Sequence, residues 1–63
     1  MLSNNLKKIR KEKNIGIREL DKISGVSHPI IINIESGKSK NPTINTVKKL
    51  AKALDISIDE LVE

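Results

Sequence analysis

The chain contains no cysteine, no tryptophan, tyrosine or phenylalanine, only two prolines and three glycines, and no uninterrupted apolar run longer than residues 30–32. Each absence excludes something. Without cysteine there is neither a disulfide framework nor a Cys-based zinc site to reinforce a small fold. Without aromatics the core must be built from isoleucine, leucine and valine. A three-residue apolar run is far short of the roughly 20 residues a bilayer crossing needs, and no signal-peptide pattern is present, so a soluble chain with no membrane partner is expected. The lack of cysteine is compatible with a cytoplasmic setting. Sixty-three residues make one domain, expected to span 1–63. A domain this small buries only about 60% of the surface its unfolded chain exposes, so modest stability is expected.

What the chain does have is charge, and its distribution says more than its net value of +4. Residues 1–14 carry +4 and residues 15–37 carry −1; residues 38–52 hold five lysines and no acid, and residues 53–63 hold four acids and no base. A polyanion would be met by the first helix and the 38–52 region, with the acidic end kept away. Lysine-rich faces that are merely solvated are the bland alternative.

The pattern along the chain is helical throughout, with no strand-like alternation and no internal repeat. Ser3 is placed to cap a helix over about 4–13, with Leu6 and Ile9 inward, and Asn14 tolerates the left-handed conformation that would stop it. Ile15 is expected in the core. Gly16 opens a second helix over about 17–24, in which Leu20, Ile23 and Ile17 are spaced for burial. Gly25 ends it, and Ser27 is placed to cap a third helix over about 28–36, with Pro29 where a missing N–H costs little. Ile31 and Ile34 fall on one face of that segment with Val26 just upstream, and Gly37 supplies the positive φ that ends it. Two short helices joined by so tight a glycine turn are the signature of a helix-turn-helix, here about 17–36. After a polar loop over 38–42, Thr43 caps a fourth helix with Ile44, Val47, Leu50, Ala51 and Leu54 at helical spacing. Asp55 marks a turn, and Ser57 with Glu60 form a capping box for a last helix through Ile58, Leu61 and Val62.

These residues resemble the lambda-repressor-like DNA-binding domain of the Cro/CI or Xre type. The likeness runs from about Leu6 to Leu61. It is carried by Leu6 with Ile9 and Arg10, by Leu20, by the Gly25-Val26-Ser27 turn, and by Ile31, Ile34, Glu35, Gly37 and Lys38. Asn41-Pro42-Thr43 and the run Leu50, Ala51, Ala53, Leu54 complete it. The resemblance implies an all-α fold, a compact five-helix domain whose helices 2 and 3 form the helix-turn-helix. It also implies a transcriptional regulator, in most cases a repressor, that places the third helix in the major groove of double-stranded DNA as a homodimer on a near-palindromic operator. An Arg10–Glu35 ion pair, structural in role, is implied as well. Three positions depart from the family. Gly16 and Ile17 replace a hydroxyl cap and a phosphate-touching glutamine, leaving only backbone amides there. Asp21 replaces an alanine where the two helices approach, so its carboxylate must lean to solvent or find a donor.

On this reading the base contacts fall to His28, Pro29, Ile30, Ile32 and Asn33. Asn33 can bond an adenine edge, His28 a purine N7 or a phosphate, and Ile30 or Ile32 can cover a thymine methyl. No arginine sits on this face, so an A/T-leaning half-site is expected. Phosphate contacts are expected from Ile17, Ser27, Lys38, Ser39, Lys40, Asn41 and Thr43, with Lys7 or Lys11 within range. Ile58, Leu61 and Val62 are the candidate dimer interface, with Leu61 the one of the three that fits the core better. No cofactor or metal is expected, since His28 has no partners at ligand spacing, and no catalytic residues are assigned. The alternative is a protein-interaction or antitoxin-type module that uses the same apolar helix face for a protein partner.

Overall fold

The computed structural model of the chain describes residues 2–39 and 41–63. They form five helices and, among the described residues, no strand: α1 (Leu2–Glu12), α2 (Ile17–Ser24), α3 (His28–Ser36), α4 (Ile44–Ala53) and α5 (Ile58–Val62). No helix among them is long and apolar enough to cross a membrane. The core is aliphatic: Leu6, Leu20, Val26, Ile31, Ile34, Val47, Leu50, Ala51, Leu54 and Leu61 are buried together, with Leu2, Ile9, Ile15, Ile17, Ala53, Ile56 and Ile58 packed around them.

The helices close on one another in a ring. α1 packs on α3 and α5, α2 packs on α3 and α4, and α4 packs on α5. Each helix thus touches two others, and α3 is held from one side by α1 and from the other by α2. Asn5 Nδ2 donates to the Leu61 carbonyl at 3.1 Å, satisfying an acceptor at the end of α5 that has no partner within its own helix.

Helix ends follow the local chemistry. Asn14 and Asp55 take left-handed φ values of 57° and 58°, and each turns the next isoleucine back against the core. Ile15 N–H reaches the Arg10 carbonyl and Ile56 N–H the Ala51 carbonyl, both at 3.0 Å, closing the final turn in the same way twice. Gly25 and Gly37 end α2 and α3 at φ 76° and 85°. Thr43 Oγ1 accepts from Thr46 N–H, and Ser57 and Glu60 form the reciprocal capping box.

Four expectations are corrected. Ser3 does not cap α1 but lies within it: the helix begins at Leu2, about two residues earlier, because Leu2, Leu6 and Ile9 then line one core-facing side. Ile23 is 50% exposed. α2 turns its Ile17 side inward beside Leu20, leaving the opposite flank in water. Ile44 is 61% exposed, since the first residue of α4 extends beyond the neighbours that cover Val47 and Leu50. Ser27 occupies the cap position of α3, yet its side chain makes no capping bond.

Candidate nucleic-acid interface

Helix α3 is seated by Ile31 and Ile34, both fully buried, with Val26 beside them. At 3.6 residues per turn the ridge opposite those anchors carries Pro29, Asn33 and Ser36, all exposed. Ile30 and Ile32 are 44% and 45% exposed. Side chains two apart do not face each other on a helix, so these isoleucines flank the ridge on either side rather than forming one patch.

The start of α3 is held by a residue from α2. Asp21 Oδ2 accepts from the His28 backbone N–H at 2.9 Å and lies 3.1 Å from His28 Nδ1. Asp21 thereby does what Ser27 was placed to do, and the carboxylate at the close approach of the two helices finds two donors. The His28 ring bond, and after it the backbone amide, hold the Asp21 carboxyl below the usual carboxylate range. Pro29 has no N–H, and the Ile30 and Ile31 amides both reach the Ser27 carbonyl. The first turn of α3 therefore has no amide to spare for an anion. Arg18, Glu19 and Lys22 line an open hollow with Asp21 and His28.

At the other end of α3, Arg10 and Glu35 meet as a fork. Nε lies 2.7 Å from Oε2 and Nη2 3.0 Å from Oε1, while Nη1 donates to the Ile15 carbonyl at 2.9 Å. The two side chains are only 10% and 8% exposed. Hydrogen bonding to Glu35 pushes the guanidinium pKa up against the opposing pull of burial. This pair clamps α1 and its turn to the C-terminal end of α3, and the planar fork suits arginine rather than lysine. Beyond Gly37 the Ser39 amide folds back onto the Asn33 carbonyl at 3.0 Å, so the polar loop starts from a fixed point on α3.

The family model described as helix-turn-helix matches residues 6–61. The chain belongs to the Cro/CI-type helix-turn-helix family. It is 32% identical over its whole length to the HTH-type transcriptional regulator SinR of Bacillus subtilis, covering 57% of that protein. It is 36% identical over 98% of its length to the HTH-type transcriptional regulator y4dJ of Sinorhizobium fredii, covering 79% of it. It is also 40% identical over 90% of its length to the HTH-type transcriptional repressor RghR of Bacillus subtilis, covering 42%. The chain spans from 28% to 79% of the length of the curated relatives it matches. Among solved structures none matches significantly.

Within this helix-turn-helix the expected base-contacting residues fall into two groups. Pro29, Ile30, Ile32 and Asn33 are exposed, while His28 is half-buried against Asp21. Of the residues expected at phosphates, Ser27, Lys38, Asn41 and Thr43 are exposed and Ser39 is half-buried; Lys40 lies outside the described residues. The Thr43 hydroxyl is engaged by its cap. The Ile17 side chain packs against the core, so only its backbone amide is left to face a ligand, at a helix start with no side-chain cap. Among the expected dimer residues Leu61 is fully buried, a core residue as its alternative reading had it, since α5 delivers it inward between α1 and α4. Ile58 is half-buried against the core and Val62 is 43% exposed. The residue that sequence reasoning missed is Asp21 as the cap of α3; its one signal was a carboxylate standing where the family carries alanine.

Proposed function

We propose that this helix-turn-helix domain binds double-stranded DNA in a sequence-specific manner, in the cytoplasm, as part of a transcriptional regulator acting as a repressor. The observation that carries the reading is the seating of α3: Ile31 and Ile34 are sunk in the core while Pro29, Ile30, Ile32 and Asn33 stand exposed along its outer side. In this reading α3 enters the major groove and Asn33 reads an adenine edge from the ridge. Ile30 and Ile32 cover thymine methyls from the two flanks. Lys38, Lys40 and Asn41, together with the backbone amides at the start of α2, hold phosphates on either side. Two copies meet on a near-palindromic operator, with Val62 and the outer edge of Ile58 as the residues at which α5 offers apolar surface to a second copy. The family and its relatives, named as transcriptional regulators and in one case as a repressor, support this assignment.

A protein-docking module is the rival. It has less behind it, because Ile30 and Ile32 lie on opposite flanks and make no continuous apolar face. Selection of bound duplexes from a random pool tests the proposal. An enriched A/T-leaning half-site repeated at one helical turn's spacing is the expected result. Recovery of no preferred sequence, with binding that merely tracks ionic strength, would refute it.

A further inference from the structure

The Asp21–His28 contact has a chemical consequence beyond capping. Asp21 is ionised near neutral pH, and an ionised carboxylate has acceptors only. Its Oδ2 already accepts the His28 backbone N–H at 2.9 Å and stands 3.1 Å from His28 Nδ1. An acceptor facing Nδ1 at that distance requires the ring proton to be on Nδ1. In a neutral imidazole the other nitrogen, Nε2, is then a bare acceptor. Free histidine in water favours the opposite tautomer, so Asp21 selects the less common form.

We infer that Asp21 is a specificity-determining positioning residue, which holds the His28 ring proton on Nδ1 and leaves Nε2 as the acceptor, so that the start of α3 reads a base carrying an amino donor. This deepens the DNA-binding reading and rests on it. In the major groove the amino donors are adenine N6 and cytosine N4, whereas guanine offers N7 and O6 and thymine offers O4, all acceptors. A bare Nε2 pairs with adenine or cytosine and meets guanine or thymine lone pair to lone pair. The purine-N7 and phosphate contacts expected of His28 from sequence both require a proton on Nε2, which this tautomer lacks.

The charged groups around the ring are Arg18, Glu19, Asp21 and Lys22, all from α2. From α1, Arg10 is committed to Glu35 at the far end of α3, and α3 itself carries no other charged residue than Glu35.

The chain has a single histidine, so an untagged, nitrogen-15-labelled protein has one ring to read. Long-range proton–nitrogen NMR near neutral pH is expected to show the proton on Nδ1. Asp21→Ala, which removes both acceptor bonds, moves it to Nε2. Asp21→Asn, whose amide oxygen can still accept, retains it on Nδ1 without the charge. Far-ultraviolet circular dichroism confirms that both variants keep the helical fold. In parallel, each protein is used to select from a pool of random duplexes. Wild type and Asp21→Asn enrich adenine or cytosine at one position, and Asp21→Ala shifts that position toward guanine or thymine by about three- to tenfold, the worth of one hydrogen bond.

A wild-type ring with its proton on Nε2 overturns the inference. So does a ring that responds to Asp21→Ala while the selected bases stay the same. If wild type enriches no duplex although the ring behaves as expected, it is the DNA-binding reading that has failed, and the base preference falls with it.

Discussion

Replacing Glu35 with alanine tests how α3 is held. The substitution leaves the Arg10 guanidinium with a side chain only 10% exposed and two of its three hydrogen bonds gone, since Nη1 alone keeps the Ile15 carbonyl. Breaking a buried pair from one side costs about 3–5 kcal/mol, because the remaining charge is left uncompensated. The whole fold of a 63-residue domain is worth roughly 3–9 kcal/mol, so the loss is comparable with the total. At about 4–8 °C per kcal/mol for a domain of this size, Glu35→Ala lowers Tm by upward of about 12 °C in a circular-dichroism melt, or leaves the chain largely unfolded at room temperature. The double variant Arg10→Met with Glu35→Leu removes both charges and refills the space. It is expected to recover most of the loss, since a buried ion pair is often worth no more than apolar residues of similar volume. A loss under about 1 kcal/mol for Glu35→Ala would mean that the pair behaves like an ordinary surface salt bridge, and the clamp argument would fail. Equal damage in the single and double variants would also refute it, by pointing to packing rather than uncompensated charge.

Three further outcomes follow from the geometry. Asp21→Ala destabilises the domain near neutral pH, less than Glu35→Ala does. Asp21 has its pKa depressed in the folded state, so its stabilisation is complete above the unfolded value near about 3.9 and is lost as pH falls through the folded one. The gap in urea midpoint between wild type and Asp21→Ala should therefore close in strong acid, and a gap that stays constant contradicts the assignment. Gly37→Ala costs about 1–2 kcal/mol, because φ is +85° and the added Cβ meets nothing within 4 Å; Gly37→Asn costs less, and equal losses in the two melts would argue for a steric cause instead. On an operator obtained by selection, Asn33→Ala is expected to lose about 1–3 kcal/mol of discrimination at one base pair. Lys38→Ala instead weakens all sequences alike and lowers the salt slope by about one. Titrations showing the reverse pattern would exchange the two roles.

The parts of this fold that were legible in the sequence are those fixed by residues close together in the chain. Gly25 and Gly37 bound α3 because the chain must take positive φ there, and Ser57 with Glu60 announces α5 because both halves of the capping box lie within one turn. Ile31 and Ile34 were readable as anchors from spacing alone, and by elimination Pro29, Ile30, Ile32 and Asn33 as outward. What escaped depends on neighbours distant in sequence. Helical period picks out a face of α2 and α4 but not where the covering helix ends, so Ile23 and Ile44 were assigned to a core that does not reach them. The cap of α3 was sought in Ser27, its own neighbour, whereas the acceptor arrives from Asp21, across the turn and seven residues upstream. No local pattern distinguishes that arrangement from a carboxylate directed at solvent.

The closed circuit in which the five helix backbones approach one another has a consequence for how the molecule comes apart. All five helices send side chains into one shared core, so the release of any helix uncovers that core as well as its two neighbours. Unfolding is therefore expected to be all-or-none, with no stable intermediate in which α3 is undocked and the other four helices persist. Amide exchange at Ile31 and Ile34 should then report the same opening free energy as at Leu6 and Leu50.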